Sequence, residues 1–270
     1  MSKPNSNLSF FGHIDQLRIH LTRSAIAVVI GAIVVGMNQK ILFDTIFFGP
    51  TKKDFITFRL FNQLGNSIGI GNIFENSKNI PIQNLQLMGQ FNLYLMACVI
   101  GGFILVFPYV IWELWRFIEP ALTEKEKKIS SVFILSTCVL FMIGVCFGYF
   151  LVAPLAINFG YFFTISDIIQ NNYTVESYAS ILIQSVVAMG VVFLFPIVVY
   201  FLTRLGLITP QFLKTYRKHA FVIILIIAAI ITPSDLLSMF AAAIPLWFLY
   251  EFGILVSMFV FKQVKETIIK

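Results

Sequence analysis

Apolar residues in this chain fall in long unbroken runs separated by polar stretches. The runs cover about Ala25–Met37, Phe91–Phe117, Ile129–Val152, Ala179–Thr203, Ala220–Ile231 and Leu236–Phe261. Membrane barrels show segments of alternating polarity, so continuous runs predict membrane-spanning helices, six in all. Ahead of the first run, Phe11, Ile14, Leu17 and Leu21 recur at helical spacing, with Asp15, Arg18 and His20 off that face. That pattern predicts an amphipathic interfacial helix over residues 9–21, leading straight into the first span. Residues 38–90 are polar and too long for a hairpin, and are expected to cap the outer surface. A second outer loop is expected from Pro154 to Tyr178, and a basic loop from Arg204 to Lys218. Pro108 should bend the second span. Gly144 and Gly148 form a GxxxG that lets a neighbouring helix approach closely.

The run Ala220–Ile231 is the exception. About 12 residues at 1.5 Å each cover about 18 Å, against roughly 30 Å of hydrocarbon. It reads either as a core helix or as a short span in a thinned bilayer. With the last run it forms a short hairpin around Thr232-Pro233-Ser234-Asp235.

Composition sharpens this picture. Hydrophobic residues make up 58% and charged residues 12%, with a mean hydropathy of +0.87. Soluble domains carry about 25% charge, so this chain lacks the polar surface to clothe a globule. The fold class is therefore an all-α membrane protein, a single polytopic domain over residues 1–270. The net charge of +6 gathers at helix ends, where membrane orientation explains it without nucleic acid. With both termini cytoplasmic, the outer side holds only Lys40, Lys52, Lys53, Arg59 and Lys78. That asymmetry predicts an N-in, C-in topology. The polar N-terminus lacks a cleavable signal, so the first helix is expected to stay in the membrane. Cys98, Cys138 and Cys146 lie in apolar runs without CxxC spacing and read as buried small hydrophobes.

Enzyme chemistry finds little footing. His13, His20 and His219 fall at membrane edges, no HExxH occurs, and neither metal nor cofactor is expected. Glu251, in the last span, has no basic residue close in sequence; it either faces a polar cavity or is protonated and hydrogen-bonded to a neighbouring helix. Glu113 can pair with Arg116 one turn on. Charge of both signs is dense only around residues 118–128, where Glu119, Glu124 and Glu126 alternate with Lys125, Lys127 and Lys128. Thr123-Glu124-Lys125-Glu126 has the form of a capping box, and Glu124 with Lys128 a favourable i,i+4 pair. Those roles start a helix, and they leave room for a ligand role as well.

The stretch Phe117-Ile118-Glu119-Pro120-Ala121-Leu122-Thr123-Glu124-Lys125-Glu126 resembles the first cytoplasmic loop of the TatC family, the membrane receptor subunits of the twin-arginine protein translocase. His13-Ile14-Asp15-Gln16-Leu17-Arg18 is similar to that family's N-terminal HLxELR motif. Phe48-Gly49-Pro50 resembles its outer-loop proline element, Thr232-Pro233-Ser234-Asp235 its last outer turn, and Ala243-Ile244-Pro245 through Glu251 its sixth span. The resemblance implies a receptor, not an enzyme, that binds twin-arginine signal peptides of folded cargo. It implies a hetero-oligomer with single-span TatA- and TatB-like partners, driven by the proton-motive force. The setting would be a cell inner membrane, or alternatively an organellar inner or thylakoid membrane. Adjacent guanidinium groups seek planar carboxylates; by the family pattern Glu126 and the N-terminal motif (Asp15, Gln16, Arg18) supply the contacts, with Phe117 beside them. Pro50, Asp235 and Glu251 are further candidates. Gln16 departs from the family's usual Glu, and Asp15, about 100° away around a helix, offers the alternative carboxylate. Leu194 stands where the family often offers a polar or acidic residue to a partner helix. The alternative reading is a polytopic solute transporter or channel of similar topology, for which neither an internal repeat nor a polar midplane path stands out.

Overall fold

A computed structural model of the chain describes residues 10–69, 71–72, 80–121, 130–166, 168, 171–232 and 236–269. These residues are almost wholly helical. The helices are α1 (Phe10–Met37), α2 (Ile56–Ile68), α3 (Gly89–Ile118), α4 (Ser130–Phe147), α5 (Ala153–Phe162), α6 (Val175–Val192), α7 (Phe195–Arg204), α8 (Pro210–Thr215), α9 (Arg217–Ile231) and α10 (Leu236–Ile269). A two-residue parallel pairing joins β1 (Ile82–Gln83) to β2 (Tyr173–Thr174). Among the described residues, five stretches are long and apolar enough to cross a membrane: Ile14–Met37, Gly89–Ile118, Val132–Phe162, Val175–Arg204 and Ser238–Lys262. Helix α9 has 15 residues and so is about 22 Å long. It is the short helix that the apolar pattern singles out.

The chain divides into two compact units, one of Met1–Leu42 with Phe91–Val139 and one of Phe43–Gln90 with Leu140–Lys270. In the first unit α1 and α3 meet at glycine. A Cβ on Gly102 would lie 2.4 Å from the backbone nitrogen of Ala32, and one on Gly31 would lie 2.9 Å from the Gly102 carbonyl. Small residues at a crossing let two backbones touch, and that packing holds helices together where lipid removes the hydrophobic drive. Elsewhere on α1, Ile26, Val29, Ile30 and Ile33 are exposed.

The stretch read as an interfacial segment is part of one helix with the first span, and burial along it does not follow the apolar face. Ile14 and Leu21 are exposed, whereas His20 and Ser24 are buried. Amphipathic reasoning assumes that water lies outside. Beside lipid an exposed apolar residue carries no penalty, and single polar residues such as His20 and Ser24 turn in. Cys146 is exposed for the same reason, against the buried reading, while Cys98 is buried and Cys138 half-buried.

In the second unit the GxxxG that runs from α4 into the turn after it packs on α6. A Cβ on Gly144 would come within 2.5 Å of the Met189 carbonyl, and one on Gly148 within 2.5 Å of the Ser185 carbonyl. The third apolar run then continues past Val152, so Pro154 does not open a loop. A π-helical turn over Gly148–Val152 carries the helix into α5, with Pro154 in its first turn. Proline lacks the N–H that would bond the carbonyl four residues back. That carbonyl belongs to Phe150, and the Thr57 hydroxyl donates to it. Pro196 has a comparable effect between α6 and α7, where the helix breaks at Phe193 and Leu194. Val199, Ala228, Ala242, Leu246 and Ile254 form the core under α7, α9 and α10. Tyr250 donates to the Leu213 carbonyl at 2.7 Å and ties α10 to α8.

Candidate functional site

The residues singled out from the sequence fall in different settings. Glu126 and Asp235 lie outside the described residues. Asp15, Gln16 and Arg18 are exposed near the start of α1. Phe117 is half-buried in the last turn of α3.

What joins α1 to α3 at this level is a pair that the sequence reading missed. His20 Nδ1 hydrogen-bonds Glu113 Oε2, although the two residues are 93 positions apart. His20 is 8% exposed and Glu113 1%. The other carboxylate oxygen, Oε1, accepts from the Tyr109 hydroxyl at 2.9 Å and has Arg116 Nη1 at 3.7 Å. A desolvated carboxylate is costly unless donors replace water, and here both oxygens have them. Arg116, read as the natural partner of Glu113, is the more distant donor. Its guanidinium lies over the Trp112 ring, 4.8 Å from the centroid. The His20 ring also meets Phe117 edge-on, with centroids 6.3 Å apart.

Helical spacing explains the arrangement. Gln16, His20 and Ser24 fall at i, i+4 and i+8 on one stripe of α1, and Glu113 and Phe117 at i and i+4 on α3. Gln16, rather than Asp15, therefore occupies the stripe that runs down to Glu113. A polar stripe at fourfold spacing is the signal for it in the sequence, although His20 lies off the apolar face.

Beyond Tyr109, away from the loop, α1 and α3 enclose an open groove of about 520 Å³. Its walls are Ile26, Ala27 and Ile30 on one side and Leu105, Val106 and Pro108 on the other. Arg23 and Tyr109 supply its polar groups.

The remaining candidates have structural settings of their own. Pro50 sits in a buried 3-10 turn over Gly49–Thr51. There Tyr178 donates to the Phe47 carbonyl at 2.5 Å, and Tyr149 to that of Ile46 at 2.7 Å. Leu194 is half-buried at the α6–α7 break. Glu251 has a basic partner that neither reading of the sequence named. It pairs with Arg217 at 2.7 Å, the two side chains 33% and 45% exposed. Arg217 opens α9, so the chain fold supplies a cation from 34 residues away that sequence proximity could not.

The sequence matches the family of Sec-independent protein translocase proteins (TatC) over residues 12–245. A TatC of Blattabacterium sp. subsp. Periplaneta americana is 46% identical over 265 residues, covering 97% of this chain and 100% of that protein. One of Halalkalibacterium halodurans is 36% identical over 190 residues, covering 70% of this chain and 75% of its own. A crystal structure described as the twin arginine translocase receptor TatC, in DDM, superposes with a TM-score of 0.71 at 32% identity, over 91% of this chain and 99% of that one. A match along nearly the whole chain, in sequence and in helical fold, displaces the transporter or channel alternative. The chain belongs to the TatC family and is a multi-pass α-helical core subunit of the twin-arginine protein translocase.

Proposed function

We propose that this subunit binds the twin-arginine signal peptides of folded cargo on the cytoplasmic face of a bacterial inner membrane. In this reading six helices cross the membrane with both termini inside, and residues 38–90 cap the outer surface. TatA- and TatB-like single-span subunits join it in a hetero-oligomer, one of them docking near Leu194, and the proton-motive force drives transport. Glu126 in the 118–128 loop and the N-terminal motif around Asp15, Gln16 and Arg18 receive the two guanidinium groups. The observation that carries the reading is the meeting of α1 and α3 through His20, Glu113 and Phe117. It brings the stripe bearing Gln16 to the helix that leads into the loop. The apolar groove beside Tyr109 suits the hydrophobic part of a signal peptide, which follows its arginines.

The test is photocrosslinking from Lys125, in the loop beside Glu126, to a twin-arginine signal peptide, with a twin-lysine peptide as control. Crosslinks to the twin-arginine peptide in clear excess are expected. Equal yields with both peptides would remove the reading, because a guanidinium-specific site must distinguish arginine from lysine.

A further inference from the structure

We infer that His20 and Glu113 are positioning residues of the signal-peptide site: their buried bond holds the α1 stripe bearing Gln16 against the α3 turn bearing Phe117. This rests on the binding reading above. Neither residue was among the expected contacts, and both are too buried to be first met by a peptide. Gln16 lies one turn before His20 on α1, and Phe117 one turn after Glu113 on α3. One turn of helix is about 5.4 Å, so each expected contact residue sits immediately beside one member of the pair. His20 touches both Glu113 and Phe117. A single imidazole therefore sets the register of two segments that are far apart in sequence. The glycine crossing at Gly31 and Gly102 fixes where the helices touch farther along. It lies about three turns from His20 and leaves the end that leads into the loop to be held by the His20–Glu113 hydrogen bond.

Such a tie acts on affinity through population. If its loss leaves the binding-competent arrangement populated at about 1–10%, apparent affinity falls by about ten- to a hundredfold with no contact to the peptide removed. Replacement by a shape-conserving amide keeps a hydrogen bond and should keep most of the effect. The Tyr109 hydroxyl and the Arg116 guanidinium also face Glu113, and they remain in every variant below.

The experiment uses the full chain in nanodiscs with Cys98, Cys138 and Cys146 replaced. Nitroxides at Ile19 and Ile118, both exposed, report the distance between the ends of α1 and α3. Binding of a twin-arginine peptide is measured on the same samples, with the twin-lysine peptide as control. Glu113→Ala should broaden the distance distribution and weaken peptide binding by about ten- to a hundredfold. Glu113→Gln should keep the narrow distribution and wild-type affinity within about threefold. The exchanged pair His20→Glu with Glu113→His should restore both readouts if it folds, and the Gln variant decides if it does not. A broadened distance with unchanged affinity would show that the tie serves only the fold. Lost affinity in Glu113→Gln at an unchanged distance would show that Glu113 itself meets the peptide. Either result overturns the inference. If the wild type fails to separate arginine from lysine, the binding reading fails instead; a distance unchanged in Glu113→Ala would still overturn the positioning role.

Discussion

At the scale of single residues, buried charge marks what this chain uses to hold itself together. Glu113 is enclosed with a histidine, a tyrosine and an arginine around it, and Glu251 shares a half-exposed pair with Arg217. The two differ in consequence. Breaking a buried pair leaves an uncompensated charge, whereas a pair this exposed contributes about 1 kcal/mol or less. Glu126 is a third case, because its expected task is to meet a charge arriving from outside. Glu126→Gln keeps a side chain able to complete the capping box with Thr123, so the helix start survives. A charge-assisted hydrogen bond contributes roughly 1.5–3 kcal/mol, so a loss of about ten- to a hundredfold in twin-arginine peptide affinity is expected at unchanged thermal stability. Gln16→Glu should tighten binding in the same titration, since Gln16 lies on the stripe that runs toward Glu113 and Asp15 does not. Affinity indifferent to both changes would place the arginines elsewhere.

At the scale of elements, prolines decide where the apolar runs are interrupted, and their effects can be separated. Pro154 deprives the Phe150 carbonyl of its helical donor, the π-helical turn absorbs the misfit, and Thr57 supplies the missing bond from a distant segment. Thr57→Val should therefore cost about 0.5–1.5 kcal/mol, the net contribution of a hydrogen bond to a part-buried carbonyl. The double change with Pro154→Ala should recover much of that, because alanine brings back the N–H that proline lacks. Thermal unfolding in detergent gives all four corners of the cycle, and additive effects would contradict a shared carbonyl. The same elements show what a sequence can and cannot disclose. Runs, the shortness of α9 and the GxxxG contact were legible, because length and small residues act locally. Pro154 was misread as a loop start, since the compensating Thr57 lies 93 positions from Phe150. The burial of His20 was not legible because amphipathicity tells polar from apolar faces but not which residue a neighbouring helix covers. The partner of Glu251 was invisible for the reason that hid the partner of Glu113: both are supplied by tertiary packing.

At the scale of the whole molecule, the proposed topology turns on the short helix α9, by parity. Among the described residues, five stretches are long enough to cross a membrane unaided. Five crossings would put the two termini on opposite sides. Basic residues, however, crowd both ends of the chain and the loops at 118–128 and 204–218, and the later outer loops carry none. Cations are retained on the cytoplasmic side, so the proposed topology, with both termini inside, requires an even number of crossings. Helix α9 supplies the sixth only if about 22 Å of helix suffices where about 30 Å is usual, through local thinning of the bilayer or recruitment of flanking residues. The turn after α9 tests this directly. Single cysteines at Ser2, Lys125 and Ser234, in a chain lacking the native three, are treated with an impermeant reagent outside intact cells. Ser234 alone should label, since a crossing α9 delivers residues 232–235 to the outer surface. Protection of Ser234 would mean that α9 dips into the membrane and returns, which leaves five crossings and an outer C-terminus. Labelling of Ser2 or Lys125 would invert the charge rule itself and move the 118–128 loop away from the cargo it is proposed to meet.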